Sequence, residues 1–295
     1  MSAPIKKEPS IRNGQNKELE EIKMKTPNFD IKDKVFAITG ASGVLCGEMA
    51  RQIAALGAKV AILDLNAKAG EAVKDDIISN GGDAIVAECN VLNKESIIAA
   101  CEEVVKAYGK VDVLINGAGG AVRNATVTPE LSFFDITDKA LNDTMSLNFT
   151  GTVLCSQVFG KQMQKQDSGC ILNIASMSAI HPLTNAIAYS AAKASVLNFT
   201  EWLATYMSLN VSKNIRVNAI APGFLIGNQN RFLLIDEKTG ESTPRGAHIL
   251  AQTPMGRYGT PEELVGAIVF LASEAASFIT GSLIPIDGGF SVYSI

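Results

Sequence analysis

The sequence predicts an α/β fold, a doubly wound parallel sheet of about seven strands with helices on both faces. Short apolar runs rich in Val and Ile, typical of fully buried strands, alternate along the chain with segments of helical periodicity. Small residues, chiefly glycine, directly follow several of these runs. Such an alternation requires right-handed crossovers between parallel strands, so the helices must cover both faces of the sheet.

The composition fits this fold and argues against several classes of function. The 295 residues are 47% hydrophobic, which allows a large buried core. The net charge of −4 and the two histidines argue against a nucleic-acid-binding face and a zinc site. The five cysteines show no C-x-x-C spacing, and no apolar stretch reaches 18 residues. We therefore expect a cytoplasmic protein with reduced thiols, no membrane span and no metal.

The predicted domain organisation is simple. Residues 1–29 are polar and mixed in charge, which favours a solvated tail over the alternative of an arm packed on a neighbouring subunit. No linker divides the remainder, so residues 30–295 are predicted to form one domain. Within it, residues 224–253 are polar and weakly periodic, and a loop-rich insertion of this length is usually functional.

The first predicted strand, Lys34–Thr39, leads through a turn of small residues into a helical pattern at Met49–Leu56. Such a turn lets the backbone approach a pyrophosphate, and the helix N-terminus offers unpaired N–H groups and a positive dipole end. The residues of the turn assigned to cofactor binding are Gly40, Ser42, Gly43, Val44 and Leu45.

The second predicted strand, Lys59–Leu63, is followed by Asp64 and Leu65, both assigned to the cofactor site. A carboxylate here can accept hydrogen bonds from the adenosine ribose hydroxyls of NAD. It would repel the 2′-phosphate of NADP, so NADH is predicted to be preferred over NADPH. The alternative is that Asp64 caps the helix predicted at Ala67–Ile78. The preceding turn favours the ribose role.

The next two strands are predicted at Ala84–Ala87 and Val111–Ile115, with a helix at Ser96–Tyr108 between them. Small and polar residues after each strand indicate further places where the chain meets the cofactor. The candidates are Asn90, Val91, Asn116, Ala118 and Gly119. One or two helices are predicted over Phe134–Phe159, with Asn148 on an otherwise apolar face. A buried Asn needs partners, so Asn148 is either a satisfied core group or part of a proton relay.

The stretch Gly169–Lys193 carries the candidate chemistry. A buried strand is predicted at Ile171–Ile174, and Ser176 follows it. Tyr189 and Lys193 lie one turn apart on an Ala-rich helix that extends to about residue 209. A nearby cation favours the phenolate and brings the tyrosine pKa closer to neutrality. A neighbouring serine can hold a substrate oxygen, so the group could move a proton while a cofactor carries the hydride.

The remaining elements complete the alternation. A strand is predicted at Ile215–Ile220 and is followed by Pro222 and Gly223, and the last strand is predicted at Ser282–Ile286. A capped helix, with a capping residue, a proline and a glutamate in the favoured order, is predicted from Thr260 to about residue 272.

These features together resemble the short-chain dehydrogenase/reductase family over roughly residues 31–290. Five motifs carry the resemblance. They are T-G at residues 39–40, N-G-A-G at 116–119, Ser176 followed by Y-S-A-A-K at 189–193, P-G at 222–223, and D-G-G at 287–289. The resemblance implies a Rossmann-like fold, an NAD cofactor, and a homotetramer or homodimer. It implies that Tyr189 is the general acid/base, assisted by Lys193, which also binds the nicotinamide ribose. Ser176 would orient the substrate oxygen, and Asn148 would hold a water in a proton relay.

The resemblance also assigns the cofactor contacts. Asn116, Ala118 and Gly119 would line the adenosine side of the cofactor site. Pro222 and Gly223 would line its nicotinamide side. Two departures stand out. The family's turn has glycines where this chain has Val44 and Cys46, and Asn90 replaces an aspartate.

Within the family, the run from A-P-G-F to P-M-G-R is similar to D-mannonate oxidoreductases, which interconvert D-fructuronate and D-mannonate with a nicotinamide cofactor. A sugar acid needs a cation for its carboxylate and hydrogen-bonding groups for its hydroxyls. The candidate substrate residues are Arg123, Ser178, His181, Asn230 and Arg231.

Several alternatives remain for the substrate and its site. Arg231 could be a surface charge, and His181 could serve in capping or packing. Another polyol, keto-sugar of the gluconate type or 3-oxoacyl substrate is the alternative within the family. A non-catalytic NAD-binding regulator is the alternative from another class, but such proteins typically lose the Tyr or the Lys that this chain keeps.

Overall fold

The structure, a computed structural model, describes residues 26–227, 231–236 and 239–294. Its strands are β1 Val35–Thr39, β2 Lys59–Asp64, β3 Asp83–Glu88, β4 Val113–Asn116, β5 Gly169–Ile174, β6 Ile215–Pro222 and β7 Leu283–Ile286. They form a seven-stranded sheet in the order β3-β2-β1-β4-β5-β6-β7, and every pair is parallel. The predicted fold class is confirmed.

The helices lie between successive strands. They are α1 Val44–Ala55, α2 Ala67–Ser79, α3 Lys94–Tyr108, α4 Asp138–Met145, α5 Gly151–Gln166, α6 Ile187–Asn210, α7 Arg231–Leu234, α8 Pro244–Ala251 and α9 Val265–Ala272. Among the residues described, no helix is both long and apolar enough to cross a membrane.

Alternating side chains of the strands build two cores. In β1, Phe36 and Ile38 enter the cluster shared with α1, α2 and α9, whereas Val35 and Ala37 enter the cluster shared with α3, α5 and α6. Because successive side chains of a strand point to opposite faces, a strand covered on both sides must be apolar throughout. All five residues of β1 are buried accordingly. The five cysteines are buried and unpaired.

Several element boundaries differ from the predictions. Helix α1 begins at Val44, five residues before the predicted start, because Gly43 is its N-cap. The helical segment predicted over 134–159 divides into α4, a π-helical turn at Ser146–Thr150 and α5. The predicted loop over 224–253 contains two short helices, α7 and α8. Residues 1–25, most of the predicted tail, lie outside the described residues.

A chain of buried polar side chains links the centre of the sheet to α6. Asn116 Nδ2 donates to Asn173 Oδ1 at 2.8 Å and to Ser156 Oγ at 3.0 Å, so β4, β5 and α5 are joined. Asn173 Nδ2 donates to Thr200 Oγ1 at 2.9 Å. Because buried polar groups are costly without partners, these amides fix how α5 and α6 sit against the strands.

Replacing Thr200 with Val should destabilise the protein, because Asn173 Nδ2 would lose its acceptor. We expect a loss of about 1–3 kcal/mol in the free energy of unfolding, measured by urea denaturation. The matched control is Thr205→Val on the same helix, where the hydroxyl is exposed and bonds to the carbonyl of Glu201. That variant should change stability by less than about 0.5 kcal/mol. Equal losses in the two variants would contradict the role assigned to Thr200.

Candidate active site

The candidate site lies at the carboxyl edge of the sheet. The strand order changes direction between β1 and β4, so the loops that follow these two strands separate to opposite faces. In open parallel sheets, ligands bind in the crevice that opens at such a position. The loops after β5 and β6 extend the same crevice, because these strands lie next in the sheet.

The turn after β1 has the geometry of an anion-binding site. Gly40 has φ +69°, a left-handed conformation that favours glycine, and it accepts a hydrogen bond from Gly43 N at 3.0 Å. No side chain caps α1 at Gly43, so the first N–H groups of the helix are not used by a capping side chain. These donors belong to the backbone, and Val44 supplies one where the family's pattern has glycine.

The carboxylate of Asp64 is fixed at the end of β2, beside this turn. Its Oδ2 accepts from Ser42 N at 3.1 Å, and its Oδ1 accepts from Asn66 N at 2.9 Å. The side chain that caps α2 is Asn66, which accepts from Ala69 N. The alternative that Asp64 caps the helix is therefore wrong. Leu65 is 64% exposed at the edge of the crevice.

The segment after β4 is held by the buried Thr39. Its Oγ1 accepts hydrogen bonds from Gly117 N at 3.0 Å and from Ala118 N at 3.1 Å. A Cβ on Gly40 would lie 2.8 Å from Ala118 Cα, so the two loops pack backbone against backbone. In the sequence, Thr39 is distinguished only as part of the T-G motif. Its role follows from a contact over 78 residues that no local pattern reveals.

The other candidates for the adenosine side of the site, Asn116, Asn90 and Val91, lie in different environments. The side chain of Asn116 lies in the buried polar network, so only its backbone can reach the crevice. Asn90 Oδ1 accepts from Leu92 N at 3.0 Å, which orders the loop after β3. Val91 is buried against Gly151, where a Cβ would lie 2.9 Å from Val91 Cγ2.

Ser176, Tyr189 and Lys193 meet at the end of β5. Lys193 is only 5% exposed, and its Nζ donates to the carbonyl of Ile174 at 2.7 Å. The same Nζ lies 5.7 Å from the centroid of the Tyr189 ring. The Ser176 hydroxyl hydrogen-bonds the Tyr189 phenol and accepts from Ser178 N at 3.1 Å. The structure thus brings the three predicted groups together.

Burial shifts the pKa values of both titratable groups. It raises the pKa of the Tyr189 phenol, and the hydrogen bond from Ser176 opposes this rise. It lowers the pKa of Lys193 to about 8. Both shifts have the same cause, because removal of water disfavours the charged form of each group. The pKa of the phenol therefore moves away from neutrality, contrary to the expectation from the nearby cation, because burial outweighs the effects that favour the phenolate. With the lowered pKa of Lys193, both groups are neutral over part of the pH range.

Asn148 lies in the π-helical turn between α4 and α5 and is fully buried. Its Oδ1 accepts from Gly120 N at 2.9 Å, and its Nδ2 donates to Gly120 O at 3.0 Å and to Thr144 O at 2.9 Å. Single π-helical turns often occur at functional sites. A Cβ on Gly119 would lie 2.6 Å from Asn148 Oδ1 and 3.4 Å from Lys193 Nζ, so these groups are immediate neighbours.

The side of the crevice toward β6 carries a free hydroxyl and an aromatic wall. Ser178 Oγ is buried and has no hydrogen-bond partner among the described residues. The exposed ring of His181 meets the ring of Phe290 edge-on, with the centroids 6.4 Å apart. Phe290 also lies 5.1 Å from Phe224, just after Pro222 and Gly223. The sequence does not identify these two phenylalanines as site residues, because their aromatic character alone does not distinguish them from residues of the core.

The candidate cations lie at the surface. Arg123 begins a short 3-10 turn, and Arg231 begins α7. Both are exposed, and neither makes an ion pair within the described part of the chain. Asn230 lies outside the described residues.

Comparisons with known proteins agree with this geometry. A family model described as enoyl-(acyl carrier protein) reductase matches residues 40–291. UxuB, an uncharacterized oxidoreductase of Bacillus subtilis (strain 168), is 46% identical over 274 residues, which cover 90% of this chain and 97% of the relative. An uncharacterized oxidoreductase of Haemophilus influenzae is 44% identical over 278 residues, which cover 90% of this chain and 96% of the relative.

A solved structure extends the likeness to three dimensions. It is a crystal structure from Haemophilus influenza with bound NAD, provisionally described as a D-mannonate oxidoreductase. Its TM-score to this chain is 0.84 at 44% identity, and the match covers 90% of this chain and 97% of that chain. A match of this extent includes the sheet, the crevice and the loops that carry the candidate residues.

Proposed function

The chain belongs to the short-chain dehydrogenase/reductase family of oxidoreductases, and we propose that it interconverts a keto-sugar acid and its hydroxy acid with NAD(H). The proposed pair is D-fructuronate and D-mannonate. The observation that carries the chemistry is the meeting of Ser176, Tyr189 and Lys193 at the carboxyl edge of β5, beside a crevice with an uncapped helix N-terminus.

The residues of the crevice fit a dinucleotide. The backbone donors at Val44 and Leu45 suit a pyrophosphate, and the carboxylate of Asp64 suits the hydroxyls of a ribose. Gly223 is packed so tightly that a Cβ would lie 2.6 Å from Asp287 Cα, so only a glycine fits between the ends of β6 and β7 at the proposed nicotinamide side. When bound, the nicotinamide would supply or accept the hydride.

Tyr189 moves the proton in the proposed reaction. During reduction, its Oη donates a proton to the substrate oxygen, and in the reverse direction the phenolate removes that proton. The ammonium of Lys193, 5.7 Å from the ring centroid, stabilises the phenolate that forms. The Ser176 hydroxyl, already bonded to the phenol, holds the same substrate oxygen in place. Lys193 is also proposed to bind the nicotinamide ribose.

Asn148 is proposed to connect this group to solvent. Both of its amide donors are used by the carbonyls of Gly120 and Thr144, whereas Oδ1 accepts from Gly120 N alone. An amide oxygen has two lone pairs, so one remains for a water. After reduction, Lys193, with Asn148 beside it across Gly119, would give a proton to the Tyr189 phenolate and take one back from that water, and in the oxidation direction the proton would move the opposite way.

Two features support a sugar acid as the substrate. Arg123 and Arg231 follow β4 and β6 in the chain and make no ion pair with any described residue, and a guanidinium is suited to bind a carboxylate. Two residues after Ser176, Ser178 presents a buried hydroxyl that has no partner in the described part of the chain, and it can bond a hydroxyl of the substrate. His181, Asn230 and the segment over 224–253 are proposed to complete the substrate side.

A substrate panel tests the proposal. Oxidation of NADH would be followed with D-fructuronate, 5-keto-gluconate, neutral keto-sugars and a 3-oxoacyl thioester. We expect the highest kcat/KM with D-fructuronate. A higher value with a neutral keto-sugar or the thioester would reject the sugar acid and favour the alternative within the family.

Replacing Tyr189 with Phe should lower kcat by about 10²–10⁴-fold, because the general acid/base is lost. The affinity for NADH, measured by fluorescence titration, should stay within about twofold, since the ring remains in place. Tyr108→Phe makes the same change at the C-terminal end of α3, where the phenol donates to Asp83 Oδ1 at 2.9 Å, and should leave both quantities unchanged. Near-normal turnover of the Tyr189 variant would reject the mechanism.

The proposed preference for NADH depends on Asp64. We expect kcat/KM for NADPH to be about a hundredfold below that for NADH, because juxtaposed like charges cost several kcal/mol. Asp64→Asn removes the negative charge and keeps one acceptor oxygen. It should reduce the difference in kcat/KM between NADH and NADPH by about tenfold. The control is Glu88→Gln, which removes an exposed negative charge from the residue that lies opposite Asp64 in the β2–β3 register. An unchanged ratio in the Asp64 variant would contradict the assignment.

We also propose a homotetramer, with a homodimer as the alternative. Phe199, Trp202 and Tyr206 stack along α6, with Trp202 58% exposed, so an aromatic strip faces outward beside α5. Trp202→Glu should lower the mass measured by light scattering after size exclusion. Ile78→Glu, on the opposite side of the sheet, should not. An unchanged mass with Trp202→Glu would exclude this strip as the interface.

A further inference from the structure

The segment from Gly117 to Gly119 is confined on two sides. On one side, a Cβ on Gly117 would overlap Cys46 Sγ and lie 2.8 Å from the carbonyl oxygen of Thr39. On the other side, a Cβ on Gly119 would lie 2.6 Å from Asn148 Oδ1 and 3.4 Å from Lys193 Nζ. The contacts with Cys46, the Thr39 carbonyl and Asn148 leave no room for a side chain at Gly117 or Gly119, so the segment packs closely against both neighbours.

Cys46 and Gly117 are complementary in size. Cys46 is the third residue of α1 and is 4% exposed. It stands where the family's turn has a glycine, and its sulfur takes the space that a side chain at position 117 would need. A buried sulfur with no room around it keeps its neighbours apart by contact, because cores are packed to crystal density.

We propose that Cys46 is a positioning residue, whose sulfur sets the distance between the cofactor turn and the segment that confines Lys193. The inference rests on the proposed function, in which the ammonium of Lys193 acts on Tyr189. Loss of the sulfur lets Gly117 shift toward α1, and Gly119 then withdraws from Lys193 and Asn148. Lys193 keeps its bond to the Ile174 carbonyl but loses the wall on its other side.

The contribution of Cys46 is steric. Burial raises the pKa of its thiol to about 12, so the group stays neutral at the pH at which the protein would work. A neutral thiol with little exposure is a poor nucleophile and a poor metal ligand. Its effect on the site therefore comes from its volume, and a change of volume at Gly117 should compensate for a change at Cys46.

A double-mutant cycle tests the inference on the full-length protein. The variants are Cys46→Ala, Gly117→Ala and the two combined. Cys46→Ala keeps the Cβ and removes the sulfur, so the added methyl at position 117 then lies 3.6 Å from the remaining Cβ, an ordinary contact distance. The control is Cys101→Ala combined with Gly117→Ala, which removes a buried sulfur of α3 on the other face of the sheet. Each protein is measured for its Tm without cofactor, its Kd for NADH, and kcat and KM with the best substrate of the panel.

We expect Gly117→Ala to raise the Kd for NADH and lower kcat, each by about tenfold or more, because displacements near 1 Å are costly at reacting groups. Cys46→Ala should lower kcat several-fold, with KM for the substrate within about twofold. The combined variant should recover at least half of the Gly117→Ala loss on a logarithmic scale, and the Cys101 combination should recover none. The contact with the Thr39 carbonyl remains, so recovery is partial.

Two results would overturn the inference. One is additive losses in the combined variant, equal to those of the Cys101 control. The other is recovery of Tm without recovery of kcat or NADH affinity, which would show a contact that only stabilises the fold. If Gly117→Ala yields no folded protein, Cys46→Ala decides alone, and an unchanged kcat rejects the role.

The outcomes separate this inference from the proposed function. Failure of every substrate in the panel would reject the proposed function, and the cycle could still be read in Tm and in NADH affinity. Turnover of D-fructuronate with an additive cycle would support the proposed function and reject the role of Cys46.

Discussion

A buried ammonium group constrains the whole candidate site. Lys193 lies inside the protein and makes one strong hydrogen bond, to the carbonyl at the end of β5. Removing such a charge from water is costly, and burial accordingly lowers the pKa of this amine to about 8. The sheet, the helix that carries Lys193 and the loop after β4 must all be in place to hold it. The same arrangement brings the amine to 5.7 Å from the centroid of the Tyr189 ring, the position from which we propose that it acts on the phenol.

Two kinds of contact position the groups around this amine. Hydrogen bonds fix the conformation of the loops. Thr39 Oγ1 accepts from two backbone N–H groups after β4, and the Asn148 amide bonds both the N–H and the carbonyl of Gly120. Close packing defines the distances, since glycines at 40, 117 and 119 bring backbone within contact of backbone, sulfur and amide. The geometry of the candidate site therefore depends on glycines, which have no side chain, as much as on the residues with functional groups.

Local patterns predicted the parts of the molecule that depend on short stretches of chain. Apolar runs located the seven strands, and the spacing of Tyr189 and Lys193 placed them on one face of α6. The start of α1 was predicted five residues late, because the glycine-rich turn masks a helix that begins at Val44.

Contacts between distant segments could not be predicted in this way. The amide of Asn116 turns into the core toward Asn173, 57 residues away, although its motif suggested the crevice. The aromatic wall joins His181 to Phe290 across more than a hundred residues. The π-helical turn around Asn148 has no signature in the apolar periodicity, because one extra residue in a turn changes the pattern only slightly.

The hydrogen bond between Asp64 and Ser42 N has a thermodynamic consequence. It holds the turn after β1 in shape through bonds made within the protein, together with the bond from Gly43 N to the Gly40 carbonyl. The conformational entropy of ordering that turn is lost when the chain folds, so a dinucleotide bound as we propose would not need to order it again. Association with an adenosine ribose should then require little rearrangement of the backbone, and affinity in this half of the crevice should reflect contacts more than ordering.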